Sequence, residues 1–332
     1  MTVDKDRLVT VFGGTGFLGR YVVRALAKRG FRVRVGTRRP DLAYHLQPAG
    51  NMGQVHPVQA NLRYRWSVDR AVEGADHVVN LVGLLAESGR QSFRALHLEG
   101  ARGVAEAAKA IGGGMTQVSA IGADAASDSL YARTKAAGEQ AVLETLPGAY
   151  VLRPSLLFGP EDDFFNRFAG MARFAPALPL IGGGTTRFQP VYVNDVAEAI
   201  AETVQGKVAG GTIYELGGPE IRTFRELMED MLEVIDRKRA LMSLPFGLAS
   251  RLAKLAQYVP GQPLTPDQVM QLRRDNVVSD AAIAEGRTLA AFGIRPTSLE
   301  TILPTYLVRF RPLGQFTRVG TGSDAQGPTE LV

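Results

Sequence analysis

The sequence contains no cysteine and only four histidines among its 332 residues. Disulfide bonds and cysteine-ligated metal sites are therefore excluded. No apolar run reaches the roughly 18 residues that a membrane-spanning helix needs. With 45% hydrophobic residues, the composition is typical of a globular chain with an ample core. The histidines lack the spacing of metal ligands, and they are His45, His56, His77 and His97.

The start of the chain leaves little room for a targeting segment. The first strand pattern begins near residue 8, and Asp4 and Asp6 precede it. A secretory signal would have basic and then apolar residues here, and a transit peptide would be rich in Arg and Ser. We therefore expect the protein to work in a cytoplasm, which also fits the lack of cysteine.

The positive charge is distributed unevenly. The formal net charge of the chain is +5, yet residues 237–274 carry seven basic residues and a single acidic one, Asp267. No interleaved aromatic residues or nucleic-acid-binding motif accompany them. The pattern favours an acidic protein surface or anionic lipid as the partner and argues against nucleic acid.

A glycine-rich turn separates the first strand pattern from the first helical pattern. Gly13, Gly16 and Gly19 have the spacing G-x-x-G-x-x-G. Such glycines let the backbone turn tightly, approach a pyrophosphate, and pack the helix close to the strand. The positive end of the helix then faces the phosphates. A turn without a ligand would not need three glycines in this register. We predict dinucleotide binding by Gly13, Thr15, Gly16, Phe17, Leu18 and Gly19.

Strand and helix patterns alternate through the first half of the chain. This alternation predicts an α/β fold, a doubly wound Rossmann-type parallel sheet with its ligand at the carboxyl ends of the strands. One helix is expected over 93–110, and another over 223–235 with a Thr223–Glu226 capping box. We expect a nucleotide-binding domain over 1–160 with a sheet rejoined by 186–215, a smaller helical lobe from 161–185 and 216–319, and a disordered tail over 320–332.

The residues after the second strand pattern bear on the choice of cofactor. A site selective for NAD usually has an acidic residue here, on the ribose 2′-hydroxyl. This chain has Thr37, Arg38 and Arg39 instead. Two guanidinium groups can hold a 2′-phosphate, so we expect NADP(H); a solvated loop is the alternative. The adenosine and phosphate side is expected to be lined by Asn61, Leu62, Asn80, Val82 and Gly83.

Tyr131 and Lys135 are four residues apart on a predicted helix, so their side chains share one face. An adjacent ammonium lowers the pKa of a phenol, which makes Tyr131 a candidate general acid or base. Ser119 ends the preceding strand pattern and could polarise a carbonyl. Two interpretations stay open: the three residues perform chemistry, or Tyr131 and Lys135 only hold the ribose of a bound nucleotide.

These features together resemble the short-chain dehydrogenase/reductase superfamily, in its extended or atypical branch. Arg153-Pro154 and Phe158-Gly159-Pro160 are similar to the loop beneath the nicotinamide in that branch, and residues 191–197 are similar to its later motif. The resemblance implies that Arg153, Pro154 and Ser155 contact the cofactor. The 12 positions from Ser119 to Tyr131 are fewer than usual for sugar-nucleotide enzymes, which argues against that substrate class.

A finer resemblance covers about residues 7–318. Residues 152–168, 187–193, 263–269 and 272–278 resemble the nucleotide-binding accessory subunits of respiratory complex I, of the alphaproteobacterial type. The resemblance implies an NADPH that is tightly bound and not used for electron transfer. It also implies contacts with subunits of the hydrophilic arm near the quinone site. The location would be peripheral, on the cytoplasmic side of the bacterial inner membrane or the matrix side in mitochondria.

Residues 245–258 form an amphipathic pattern inside the basic segment. Leu248, Leu252 and Leu255 share one helix face, and Arg251 and Lys254 lie towards the other. This pattern is consistent with an ordinary helix of the small lobe. It is equally consistent with an interfacial helix that lies against a membrane or a partner subunit.

The sequence therefore leaves three functions open. The first is an accessory subunit of complex I, itself non-catalytic, that holds NADPH. The second is an active NADPH-dependent reductase or epimerase that acts on a lipophilic carbonyl or a quinone precursor. The third is a regulator that senses NADPH, which would require an exchangeable nucleotide.

Overall fold

A seven-stranded sheet forms the centre of the computed structural model, which describes residues 7–256, 264–312 and 314. Its strands are β1 (Leu8–Phe12), β2 (Arg32–Thr37), β3 (Val55–Gln59), β4 (His77–Asn80), β5 (Gly114–Val118), β6 (Tyr150–Pro154) and β11 (Ile213–Leu216). Their spatial order is β11-β6-β5-β4-β1-β2-β3, and every neighbouring pair is parallel. The expected α/β fold with a Rossmann-type sheet is confirmed.

Helices cover both faces of this sheet. The helices are α1 (Phe17–Lys28), α2 (Arg65–Val72), α3 (Ala101–Ala110), α4 (Leu130–Thr145) and α6 (Val193–Val204). Helices α1 and α6 pack on one face through a core that includes Val22, Leu26 and Ile200. Helices α2, α3 and α4 pack on the other face, around Phe12 and Met115. The central strands β1, β4 and β5 are almost wholly buried, as expected for a parallel sheet with helices on both faces.

A second hydrophobic core lies beyond residue 157. It contains helices α5 (Phe164–Phe174), α7 (Phe224–Val234) and α11 (Leu299–Leu307), and its aromatic rings cluster around Phe164. Three strand pairs lie around it, namely β7 (Leu157–Phe158) with β10 (Val191–Tyr192), β8 (Ala177–Ile181) with β13 (Ala240–Leu244), and β9 (Arg187–Phe188) with β12 (Arg222–Thr223).

Three further helices complete the described part of the chain: α8 (Phe246–Ala256), α9 (Pro266–Gln271) and α10 (Asp280–Ala284). In α8, Ala249 and Ala253 are buried against Ile181 and Val269, whereas the leucine face is exposed. No helix within 7–256 or 264–312 is long and apolar enough to cross a membrane. The predicted tail 320–332 and residues 257–258 of the amphipathic pattern lie outside the described residues.

Local sequence signals agree closely with the observed helix starts. The Thr223–Glu226 capping box is present at the start of α7, and Thr265 forms a second one with Gln268 at the start of α9. Each box satisfies amide groups that the first helical turn leaves without partners.

The helix expected over 93–110 begins differently from the prediction. Residues Arg94–Gly100 form a π-helix, and α3 continues from Ala101. The wider turn brings the His97 carbonyl oxygen within 2.0 Å of the position that a Cβ on Gly138 would occupy. The chain can therefore pack this closely only because residue 138 is glycine. Helical periodicity alone carries no signal for a π-turn.

Gly19 offers a test of how closely α1 must pack on the glycine turn. A Cβ there would lie 2.3 Å from the Gly13 carbonyl oxygen and 2.5 Å from the Gly14 Cα. Because both atoms belong to the backbone, we expect Gly19→Ala to destabilise the protein by about 1–3 kcal/mol in denaturant unfolding. The matched control is Gly103→Ala in α3, where a Cβ would meet nothing within 4 Å. That change should stabilise the helix by ~0.5–1 kcal/mol. Equal effects of the two changes would contradict the interpretation.

Candidate functional site

The glycine turn lies at the carboxyl end of β1, where the amino end of α1 begins. Gly13 has a φ of 80°, and the Gly16 amide donates a hydrogen bond to the Gly13 carbonyl oxygen at 3.0 Å. Gly16 is the N-cap residue of α1, and no side chain caps this helix end. The first turn of α1 also lacks an acidic residue. The turn thus presents backbone amides and the positive end of a helix dipole, a combination that suits a phosphate group.

Thr37, Arg38 and Arg39 lie together at the carboxyl end of β2. Both arginines are exposed, and Arg39 forms an ion pair with Asp41 at 2.8 Å. The Thr37 hydroxyl accepts a hydrogen bond from the Arg39 amide at 3.4 Å. An exposed ion pair of this kind contributes little energy, so Asp41 competes only weakly with an incoming anion.

Asn80 is buried and holds the loop after β4. Its side-chain amide donates to Gln117 Oε1 at 2.8 Å, and its carbonyl oxygen accepts from the Val82 amide at 3.2 Å. Asn61, at the end of β3, accepts a hydrogen bond from the Arg63 amide at 3.2 Å, and Leu62 packs near Gly100. The structure therefore brings these residues to the same edge of the sheet as the glycine turn. The contacts of Asn80 are with the protein itself.

Ser119, Tyr131 and Lys135 are brought together where β5 meets α4. The Lys135 Nζ donates to the Val118 carbonyl oxygen at 3.4 Å and lies 5.8 Å from the centre of the Tyr131 ring. A Cβ on Gly83 would lie only 3.3 Å from this nitrogen. The buried Ser119 Oγ has no hydrogen-bond partner among the described residues. A buried hydroxyl without a partner is costly, and it is typical of a group that acts on a ligand.

The protonation of Tyr131 differs from the sequence expectation. Burial, followed by the negative charge of Asp267, raises the pKa of Tyr131 to about 12. Burial also lowers the pKa of Lys135 to about 8, although nearby Glu139 acts in the opposite direction. The expected lowering of the phenol pKa by Lys135 was wrong for this structure, because burial dominates at both groups.

His97 is a member of the site that the sequence analysis missed. Its Nε2 accepts a hydrogen bond from the Leu84 amide at 3.0 Å, so the proton is on Nδ1, which donates to Thr134 Oγ1 at 3.1 Å. Its ring meets that of Tyr131 edge-on, with centroids 5.3 Å apart. Burial and then Lys135 lower the pKa of His97 to about 3, so it is neutral at physiological pH. His97 belongs to the π-helix, and the sequence pattern predicted an ordinary helix over these residues.

The motif residues 153–155 have partners within the protein. Arg153 forms an ion pair with Glu139 at 2.6 Å and another with Glu215 at 3.4 Å. The Ser155 hydroxyl is 2.7 Å from Asn276 Oδ1, and the Pro154 carbonyl oxygen accepts from the Ile121 amide at 3.1 Å. These contacts join β6 to its neighbours. The side chains of Arg153 and Ser155 bond to Glu139, Glu215 and Asn276, and neither forms a hydrogen bond with Ser119.

A nicotinamide dinucleotide fits the residues at this edge of the sheet. The helix end at the glycine turn has no side-chain cap, the Ser119 hydroxyl has no partner among the described residues, and residue 83 has no side chain that would crowd the Lys135 Nζ. Comparison with known families supports this assignment, since residues 9–217 match the model described as "NAD dependent epimerase/dehydratase family". The chain belongs to this family.

Two relatives are similar in sequence to this member of the epimerase/dehydratase family. A protein named "NADH dehydrogenase [ubiquinone] 1 alpha subcomplex subunit 9, mitochondrial", from Arabidopsis thaliana, is 40% identical over 289 residues, which cover 83% of this chain and 72% of the relative. A protein named ceramide reductase, from Caulobacter vibrioides, is 33% identical over 249 residues, which cover 74% of this chain and 76% of the relative.

A solved structure confirms the fold of this family member. The NADPH-dependent quinone oxidoreductase QOR2 of Escherichia coli, complexed with NADPH, matches with a TM-score of 0.69. The match covers 90% of this chain and 98% of that chain at 19% sequence identity. At this identity the likeness concerns the fold alone.

The unpartnered Ser119 hydroxyl leads to a prediction about stability. We expect Ser119→Ala to stabilise the ligand-free protein by about 1 kcal/mol in denaturant unfolding, because it removes a buried polar group that has no partner. The control is Thr116→Ala on β5, the strand that ends just before Ser119, since the Thr116 hydroxyl is 2.8 Å from His77 Nε2 and 2.7 Å from Thr203 Oγ1. This second change should destabilise the protein by ~1–3 kcal/mol. A loss of stability in Ser119→Ala would show that its hydroxyl does have a partner.

Proposed function

We propose that this protein is an accessory subunit of respiratory complex I that holds a tightly bound NADPH without using it for electron transfer. The observation that carries the proposal is the 40% identity with the Arabidopsis complex I subunit over 83% of this chain. A fungal relative from Neurospora crassa named as a subunit of NADH-ubiquinone oxidoreductase covers 91% of this chain at 30% identity. The retained nucleotide site supports the NADPH part of the proposal.

Each part of the site has a role in binding. The amino end of α1 and the glycine turn would hold the pyrophosphate, and Arg38 and Arg39 would hold the 2′-phosphate. Tyr131 and Lys135 would hold the nicotinamide ribose, and Ser119 would donate to a carbonyl or carboxamide oxygen. When it is bound, NADPH supplies a hydride donor. Such a ligand stabilises the folded chain by roughly 4 kcal/mol when its concentration is about 1,000 times its dissociation constant.

The protonation of Tyr131 supports a binding role over a catalytic one. With a pKa of about 12, Tyr131 keeps its proton at neutral pH and is a weak general acid. The neutral His97 beside it supplies no proton either. A protonated phenol still donates a hydrogen bond to a ribose hydroxyl, which is enough to hold a nucleotide.

An active NADPH-dependent reductase of a lipophilic carbonyl is the second candidate function. Two observations favour it: the Ser119, Tyr131 and Lys135 set is complete, and a relative named ceramide reductase is 33% identical over 74% of this chain. Turnover of NADPH by the purified protein with a carbonyl or quinone acceptor would decide for this candidate.

The proposed partners are the subunits of the hydrophilic arm near the quinone site, at the cytoplasmic side of the bacterial inner membrane. On α8, the exposed fractions of Leu248, Leu252 and Leu255 are 49%, 46% and 72%, and the basic Arg251 of the same helix is exposed as well. Exposed leucines flanked by cations suit the boundary of an anionic lipid surface. We therefore propose that α8 attaches this subunit to the membrane surface beside complex I.

Cofactor selectivity is tested by the two arginines after β2. We expect the double change Arg38→Ala and Arg39→Ala to weaken NADPH binding by roughly 10- to 100-fold, with little effect on NADH, because only NADPH carries the 2′-phosphate. Asp41→Asn should strengthen NADPH binding about two- to fivefold by freeing Arg39 from its ion pair. Isothermal titration or fluorescence of the bound nucleotide measures both. Equal losses for NADPH and NADH would contradict the assignment.

Association with complex I is tested by gentle solubilisation of native membranes and co-purification of the tagged chain. Tyr131→Phe should still travel with the complex and leave respiration intact, because it removes only one hydroxyl. Leu252→Glu should be lost from the membrane fraction, since it places a charge on the proposed membrane face.

The matched control for Leu252→Glu is Trp66→Glu, at a side chain that is 66% exposed on α2. It should behave like the wild type. Failure of the wild-type chain to travel with the complex would contradict the accessory-subunit proposal. Loss of respiration in Tyr131→Phe alone would favour the reductase.

A further inference from the structure

Asp267 joins two parts of the chain that are far apart in sequence. It lies in the first turn of α9, and its two carboxylate oxygens accept hydrogen bonds from the Leu130 amide at 2.8 Å and the Ser129 hydroxyl at 2.9 Å. Gln271, one turn further along α9, donates to the same carboxylate at 2.8 Å. The first amide of α4 thus obtains its partner from a residue 137 positions away.

The two helices α8 and α9 form a unit through the packing described above, in which Ala249, Ala253 and Val269 are buried. We refer to them as the α8–α9 unit. A second contact supports its attachment near α4, since Arg274 forms an ion pair with Asp124 at 2.7 Å. That pair is exposed, so the partly buried Asp267 contact contributes more to the attachment. The unit that carries the exposed leucines is therefore bonded directly to the helix that carries Tyr131.

Tyr131 lies one residue beyond the amide that Asp267 binds. The charged or titratable groups around its ring come from three elements: Lys135 from α4 itself, His97 from the π-helix, and Asp267 from α9. Phe93 adds an apolar edge at 5.8 Å between centroids. Since His97 is neutral, Asp267 is the charged group that acts on the phenol, and it disfavours the phenolate.

We propose that Asp267 is a positioning residue through which the α8–α9 unit controls Tyr131. While α9 is docked, the carboxylate holds the first turn of α4 in place through Ser129 and Leu130, and its negative charge disfavours ionisation of the nearby Tyr131 hydroxyl. Displacement of the unit would remove both effects together. The inference rests on the proposed function, because it concerns the residue that is proposed to hold the nicotinamide ribose.

Asp267→Asn separates the electrostatic effect from ordinary helix capping. An asparagine side chain keeps an acceptor for the Leu130 amide but removes the charge. A purely structural cap would leave the ionisation of Tyr131 unchanged in this variant. A positioning role predicts that the Tyr131 phenolate forms at lower pH.

The decisive measurement is an ultraviolet titration of tyrosinate. The chain has nine tyrosines, so each titration is recorded as a difference against the same protein with Tyr131→Phe. We expect the midpoint of Tyr131 to fall by roughly one pH unit in Asp267→Asn, which is a tenfold rise in the phenolate fraction. The matched control, Asp280→Asn at the exposed start of α10, should leave the midpoint unchanged. An unchanged midpoint in Asp267→Asn, with circular dichroism showing an intact fold, would overturn the proposal.

A second measurement tests the coupling between the unit and the nucleotide site. In the wild type, we expect NADPH to slow hydrogen exchange of the amides in residues 264–274, because a ligand that orders α4 also stabilises its contact with α9. Asp267→Ala should abolish this response, whereas Asp280→Asn should retain it. The same response in Asp267→Ala as in the wild type would overturn the coupling.

The two measurements fail in different ways. If the wild-type chain does not bind NADPH, the proposed function fails, yet the tyrosinate titration still tests Asp267 without any ligand. If NADPH binds and the Asp267→Asn midpoint does not move, the inference fails and the proposed function stands.

Discussion

The structure depends most on the close approach of α1 to the carboxyl end of β1. Gly19 lies so near the Gly13 and Gly14 backbone that no side chain fits between them. This contact sets the direction of α1 and so aims the amides of its first turn at the edge of the sheet where the other loops end. The parallel sheet then brings Thr37, Asn80 and Ser119 to the same edge, since all parallel strands end on one side.

Burial has a larger effect than charge at the centre of the site. Lys135 and Tyr131 are a cation and a phenol on one helix face, and in water the cation would favour ionisation of the phenol. Inside the protein both groups shift towards their neutral forms. The hydrogen bonds of His97, which ends up neutral between Leu84 and Thr134, add rigidity without adding charge. The Tyr131 phenol therefore remains protonated at neutral pH, whereas the Lys135 ammonium loses its proton more readily than that of a free lysine.

The sequence was sufficient to predict the sheet, the glycine turn and the Thr223–Glu226 capping box, because each is a short-range pattern. The first strand begins at Leu8, as expected, and the Thr223–Glu226 box is present at the predicted residues. It did not predict the π-helix that carries His97, because an apolar pattern over 93–110 indicates a helix without specifying the wider hydrogen bonding of a π-turn. It also missed Asp267, which acts on Tyr131 across 136 positions through tertiary packing alone. Contacts between distant residues have no local pattern to reveal them.

The ion pairs of Arg153 have a consequence for how this sequence can change over time. One guanidinium on β6 neutralises two nearly buried carboxylates, Glu139 on α4 and Glu215 on β11. Loss of either glutamate leaves the arginine with a partner, whereas loss of the arginine leaves two buried anions uncompensated, at a cost of about 3–5 kcal/mol. Substitution of either glutamate should therefore be tolerated better than substitution of Arg153. The ion pairs thus give Arg153 a role in folding that does not depend on hydride transfer.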